Sequence, residues 1–154
     1  MATPFPFVAS AVLTAAQLNS IGEAWVSYTP TVTQGVGVTA TVTTARWTLV
    51  NKIVFVQVTL SLTSAGTAGI PLAISAPVAA KAASFSGAFA GSVGAGGFYD
   101  ANTSQQYNFT VQMFSSLEFR FYANGTGGSL FGQYPAVGIA NGDYVFFQAT
   151  YEAA

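Results

Sequence analysis

Hydrophobic and polar residues alternate along much of this chain with a period of two. The cleanest run is 52–62. There Val54, Val56, Val58, Leu60 and Leu62 fall on one face, and Ile53, Phe55, Gln57, Thr59 and Ser61 on the other. Such alternation predicts a β-strand, because successive side chains point to opposite sides of a pleated backbone. The first set is a core face. The second begins apolar and turns polar, the pattern of a strand partly covered by a neighbour. In 117–123 the residues Leu117, Phe119 and Phe121 alternate with Glu118, Arg120 and Tyr122.

Further strands are predicted over 25–33, 36–50, 70–75, 82–93, 97–99, 105–114 and 143–152. Asn51-Lys52 sits between two strand patterns and predicts a hairpin, while Asn124-Gly125 and Asn141-Gly142 are turn dipeptides. The total is eight or nine short strands at close turn spacing. The expected fold is therefore all-β, an antiparallel β-sandwich of jelly-roll type. No repeat or internal domain boundary appears.

The N-terminal region differs. Residues 1–11 form an apolar extended arm. Thr14 with Gln17 three residues later fits a capping box, and Gly22 fits a helix stop. This predicts one helix of about two turns, with Leu18 and Ile21 on one side. The arm and helix (1–22) form either a cap on the domain or a docking element for a partner chain. Residues 23–154 form the β knob.

Composition sharpens the picture. The chain has 154 residues, 51% of them hydrophobic and 14% aromatic, enough for one domain with a real core and too apolar for disorder. Only four residues are basic and five acidic, 6% of the chain, where a soluble domain carries about 25%. Either uncharged polar residues supply nearly all the surface, or other protein covers much of it. The second is the simpler explanation. A net charge of −1 leaves no electrostatic footprint for nucleic acid or anionic lipid.

Mean hydropathy is positive, +0.48, but the uncharged stretch 82–99 is broken by five glycines and 53–80 by Pro71 and Pro77. Neither predicts a spanning helix. The N-terminus lacks a basic region and carries Pro4 and Pro6, unlike a standard secretory signal. An outer-membrane barrel would share the alternation and would need an export signal.

Candidate chemistry is sparse. With no Cys and no His, thiolate nucleophiles, Cys- or His-based metal sites and His-based acid–base schemes are excluded. The glycine stretch 91–97 lacks the Gly-Lys-Ser/Thr ending of a phosphate loop and precedes no helix pattern, so it is expected to be a flexible loop or packed β-turns. Glu23, Asp100, Glu118, Asp143 and Glu152 show no spacing that nominates a glycosidase pair. Glu118 and Arg120, two apart on a strand, are expected to form a surface ion pair, and Asp143 to be a turn residue. No catalytic residue, cofactor or metal is expected. Tyr99, Tyr107, Tyr122 and Tyr134 lie at predicted loops and strand ends. They are either ordinary β-formers whose hydroxyls reach the rim, or candidate glycan contacts through their ring faces. Asn102, Asn108 and Asn124 open Asn-x-Ser/Thr triplets, which matter only in a secreted eukaryotic protein.

Four stretches carry a resemblance: Val12-Leu13-Thr14-Ala15-Ala16-Gln17-Leu18-Asn19, Ala24-Trp25-Val26-Ser27-Tyr28-Thr29-Pro30-Thr31, residues 45–56 (ARWTLVNKIVFV), and the ending 142–152 (GDYVFFQATYE). Together they resemble small β-rich structural proteins of tailed bacteriophage virions, found in tail fibres, minor tail proteins and capsid decorations. They frame almost the whole chain, while 65–106 takes no part in the resemblance. The resemblance implies a homotrimeric, jelly-roll-like knob on the exterior of a phage particle. The first role it implies is capsid decoration (cement or head fibre), with the arm docked on major capsid protein. The other is a tail-fibre or minor tail knob that binds host glycan. The residues expected to contact other copies or the virion are Phe5, Phe7, Val12, Leu13, Leu18, Ile21, Ile53 and Phe55. Neither nucleic-acid binding nor membrane insertion is expected.

Overall fold

A computed structural model describes residues 24–81, 92–123 and 129–154. The expected arm and helix at 1–22 lie outside them. The described residues hold ten strands and no helix: β1 (Val26–Ser27), β2 (Val32–Gln34), β3 (Val36–Val38), β4 (Ala40–Val50), β5 (Ile53–Leu62), β6 (Ala73–Ser75), β7 (Ser92–Asp100), β8 (Gln105–Ser115), β9 (Glu118–Ala123) and β10 (Tyr144–Glu152). They form one antiparallel sheet in the order β1-β4-β5-β10-β7-β8-β9-β6-β2-β3. Only Thr39 separates β3, at one margin, from β4, next to the other margin. The sheet must therefore curl until its margins approach each other.

The curl encloses the core. The inward residues of β5, Val54 to Leu62, are almost wholly buried, as the alternation predicts. They face inward beside Val145, Phe147, Ala149 and Tyr151 of β10. Across the core, the rings of Phe119 and Phe121 on β9 lie 5.2 and 5.3 Å from that of Phe147, edge-on, a favoured aromatic geometry. Phe98, Phe109 and Phe131 complete the aromatic cluster. Two sets of backbone hydrogen bonds close the ends. At one end Lys81 N–H donates to Glu152 O, and at the other Gly66 N–H donates to Ile139 O. Gln34 is fully buried and has a partner at each end of its amide: its Oε1 accepts from Ile139 N at 2.9 Å and its Nε2 donates to Val137 O at 2.7 Å. It therefore pins β2 to the 137–139 loop.

Several elements depart from expectation. Segment 25–33 splits into β1 and β2 around Pro30, which has no N–H for a ladder. Segment 36–50 splits at Thr39, whose N–H is taken by Ser64 Oγ at 2.9 Å. Segment 70–75 is strand only from Ala73, after Gly69 in the left-handed region (φ 84°) and Pro71. The first two splits add two strands, while expected segments 82–93 and 97–99 share the single strand β7, with 82–91 outside the described residues, so the described residues hold ten. The predicted hairpin at Asn51-Lys52 joins β4 to β5 with Val50 opposite Ile53, and Asn51 has φ 57°.

The main correction concerns the glycine stretch. Residues 92–97 are not a loop but the first part of β7, paired on one side with β10 and on the other with β8. Glycine weakens strands in general, but here side chains do not fit. A Cβ at Gly94 would meet the Gln148 carbonyl and lie 2.9 Å from Ala149 Cα. One at Gly96 would meet the Phe146 carbonyl and lie 2.5 Å from Phe147 Cβ. Gly37 on β3 has open space instead. Gly96→Ala is expected to cost roughly 3 kcal/mol through overpacking against β10. Gly37→Ala is expected to be neutral or stabilising by up to about 1 kcal/mol. Urea denaturation of the two variants checks this contrast.

Candidate functional site

The outward face of β4, β5, β10 and β7 is the most distinctive surface. Register places Phe55 beside Thr48 and Thr150, Gln57 beside Arg46 and Gln148, and Thr59 beside Phe146, which neighbours Gly97. Val50, Ile53, Phe55, Phe146, Tyr144 and Tyr99 share this face and are each between 36% and 44% exposed. Ile53 and Phe55, the two expected contact residues within the described chain, adjoin Val50 at the hairpin end. Phe5, Phe7, Val12, Leu13, Leu18 and Ile21 lie outside the described residues.

The few charges of this face are engaged. The Arg46 guanidinium lies 4.8 Å from the centre of the Trp25 ring, and its Nε donates to Gln57 Oε1 at 2.9 Å. A second apolar outcrop on β8 and β9 repeats the device. Arg120 sits 3.5 Å over the exposed Phe114 ring and pairs with Glu118 at 2.6 Å. That is the same-face ion pair expected from strand parity. Both arginines thus cover aromatic rings with their planar cations.

The four candidate tyrosines do not converge. Tyr99 is on the outward face of β7. Tyr107 is on the inward face of β8, packed 5.4 Å from Phe131 and 6.3 Å from Phe98. Tyr122 is half-buried on β9, and Tyr134 is 61% exposed beside the cis Tyr134-Pro135 bond. The residue the structure does put beside Tyr99 is Tyr144, its cross-strand partner. Strand parity in Tyr107, Phe109, Val111 and Met113 already indicates the inward direction of Tyr107. The Tyr99–Tyr144 pair depends on a register between strands far apart in sequence.

Asp100 and Asp143, which no spacing nominates, come together at one end of the sheet. Asp143 is wholly buried and accepts from Ala101 N at 2.9 Å and Ala140 N at 2.7 Å. Asp100 accepts from Asn102 N at 2.9 Å and Thr103 N at 3.1 Å. Burial raises the Asp143 pKa, with the neighbouring Asp100 carboxylate adding to it and the two backbone donors opposing. With their oxygens turned to backbone N–H groups, both act as loop staples, and Asp143 is the turn residue expected after Asn141-Gly142. Among the described residues no group of three or more His, Cys, Asp or Glu side chains is placed to hold a metal ion, and no helix is long and apolar enough to cross a membrane.

The chain matches no protein-family model, no curated protein and no solved structure.

Two tyrosines, Tyr28 after β1 and Tyr151 on β10, make opposite predictions. Tyr151 OH donates to Val78 O at 2.8 Å, and burial pushes its pKa up to about 12. The Tyr28 hydroxyl is buried with no hydrogen-bond partner among the described residues, and burial followed by the nearby Tyr151 raises its pKa further. Because burial disfavours the phenolate, these groups leave stability intact below the ordinary value of 10, and stability is lost as pH rises from there through the folded values. Tyr151→Phe is expected to cost about 1 kcal/mol at neutral pH, while Tyr28→Phe is neutral or gains up to about 1 kcal/mol. Both variants are expected to lose less stability above pH 10 than the parent. Urea titrations at neutral and alkaline pH read both effects.

Proposed function

We propose that this chain is a structural protein of a bacteriophage virion, a homotrimeric capsid decoration protein. Its N-terminal arm docks on the particle and its β domain projects outward as a jelly-roll-like knob. One observation carries the reading. In a chain with nine charged side chains in all, the hairpin end of the outward sheet face presents Val50, Ile53 and Phe55 together to the outside. Apolar faces of this kind mark contacts with other protein. The curl that opposes β9 to β10 across one core supports a jelly-roll-like form, and the resemblance of the framing segments supports the trimer and the virion.

The energetics are adequate for a permanent assembly. At about 25 cal/mol per Å², burying ~1,500 Å² of apolar surface would contribute tens of kcal/mol before association costs. A second reading, a tail-fibre or minor tail knob that recognises host glycan, draws on the exposed Tyr99–Tyr144 pair. Copy number separates the two: hundreds per particle for a decoration, a handful for a tail component.

Phe55→Asp tests the contact face. Phe55 points away from the core, so the variant is expected to fold, with its near-ultraviolet circular dichroism retained, and to sediment as a smaller species than the parent. A Phe55→Asp protein that keeps the parent's oligomeric mass rules this face out as the contact.

A further inference from the structure

We infer that the outward groove between β5, β10 and β7 binds a neutral sugar ring, stacked on Phe146 and hydrogen-bonded by Gln57, Gln148 and Thr59. The inference gives the glycan-recognising reading a site, and rests on that reading only for what carries the sugar.

The groove holds about 350 Å³, within the ordinary size of small-molecule sites. Its floor is low because the outward position of β7 opposite Gln148 is Ala95, which carries only a methyl group. Phe146 forms one wall. Its ring leans across Gly97, occupying the space a side chain would fill: a Cβ there would lie 2.6 Å from Phe146 Cζ. The ring is thus seated from below yet 37% exposed, which is the arrangement of a stacking platform. Next to it along the same face stand two amides. Gln57 is fixed, since its Oε1 accepts from Arg46 Nε at 2.9 Å and Arg46 is held against Trp25. Its amide N–H groups remain as oriented donors. Gln148, the cross-strand partner of Gln57, adds a donor and an acceptor, and the hydroxyl of Thr59 adds both.

The chemistry selects the ligand. Among the described residues no ionised side chain lines the groove, so an anionic or cationic ligand would lose hydration without a counter-charge. A pyranose offers an apolar C–H face for the ring and closely spaced hydroxyls that both donate and accept, matching amides rather than ions.

The test is saturation-transfer NMR on the full chain with neutral oligosaccharides containing glucose, galactose or mannose. At least one is expected to receive saturation, strongest on the ring protons of one face. Phe146→Ala is expected to weaken binding at least about tenfold, and Phe146→Trp to retain it. Gln148→Ala, at an exposed position that leaves the core intact, is expected to weaken it about threefold to tenfold. Near-ultraviolet circular dichroism confirms that each variant folds. Absence of transfer to all three sugars, or equal binding by Phe146→Ala, overturns the inference. So does a Phe146→Ala protein that changes oligomeric mass while the parent binds no sugar, which would make the groove a contact between copies. These failures leave the assembly reading intact. A particle bearing hundreds of copies would remove the tail reading without touching the groove.

Discussion

The approach of β7 to β10 is the constraint on which the sheet depends. Backbone atoms of β10 occupy the space in which side chains at Gly94 and Gly96 would sit. That closeness lets the sheet curl, and the curl sets Phe147 against Phe119 and Phe121 across the core. The same strand governs the outside. Phe146 follows the turn of β10 and settles over Gly97, so one glycine-rich strand shapes both the aromatic interior and the groove on the outer face.

The exterior follows a different economy. Charged side chains are few, and most of those described serve local tasks. Arg46 and Arg120 lie over aromatic rings, Lys81 pairs with Glu152 at 2.8 Å, and Asp100 and Asp143 staple loops through backbone N–H groups. Exposed ion pairs of this kind add little stability. What remains outside is apolar or uncharged: the Val50, Ile53 and Phe55 end of the sheet, the Phe146 groove, and the Phe114 and Leu117 outcrop. Coverage of the Val50, Ile53 and Phe55 end by further copies, as proposed, would leave the Phe146 groove open and lower the need for charge on the rest.

Much of this fold is legible in the sequence where side chains alternate. The inward row of β5, the Asn51-Lys52 hairpin, and the strands β9 and β10 follow from period-two patterns, as does the Glu118–Arg120 pair. Strand parity needs no knowledge of partners. The glycine run of β7 was not legible, because its fitness for a strand comes from the backbone of residues about fifty positions later. Local propensity there points to a loop. The same limit applies to the outer site: Tyr99 meets Tyr144, and Gln57 meets Gln148, only through register. Gln34 is also hidden from a local reading, since a buried amide becomes tolerable only when the 137–139 backbone satisfies both of its ends.

The central claim is that an exterior this poor in charge is covered by further copies of the chain. Sedimentation equilibrium of the 154-residue chain, carried to the lowest detectable concentration, tests it most directly. The account predicts a single species of three times 15.9 kDa that persists on dilution. A 15.9 kDa species that stays monodisperse and soluble at high concentration would contradict it.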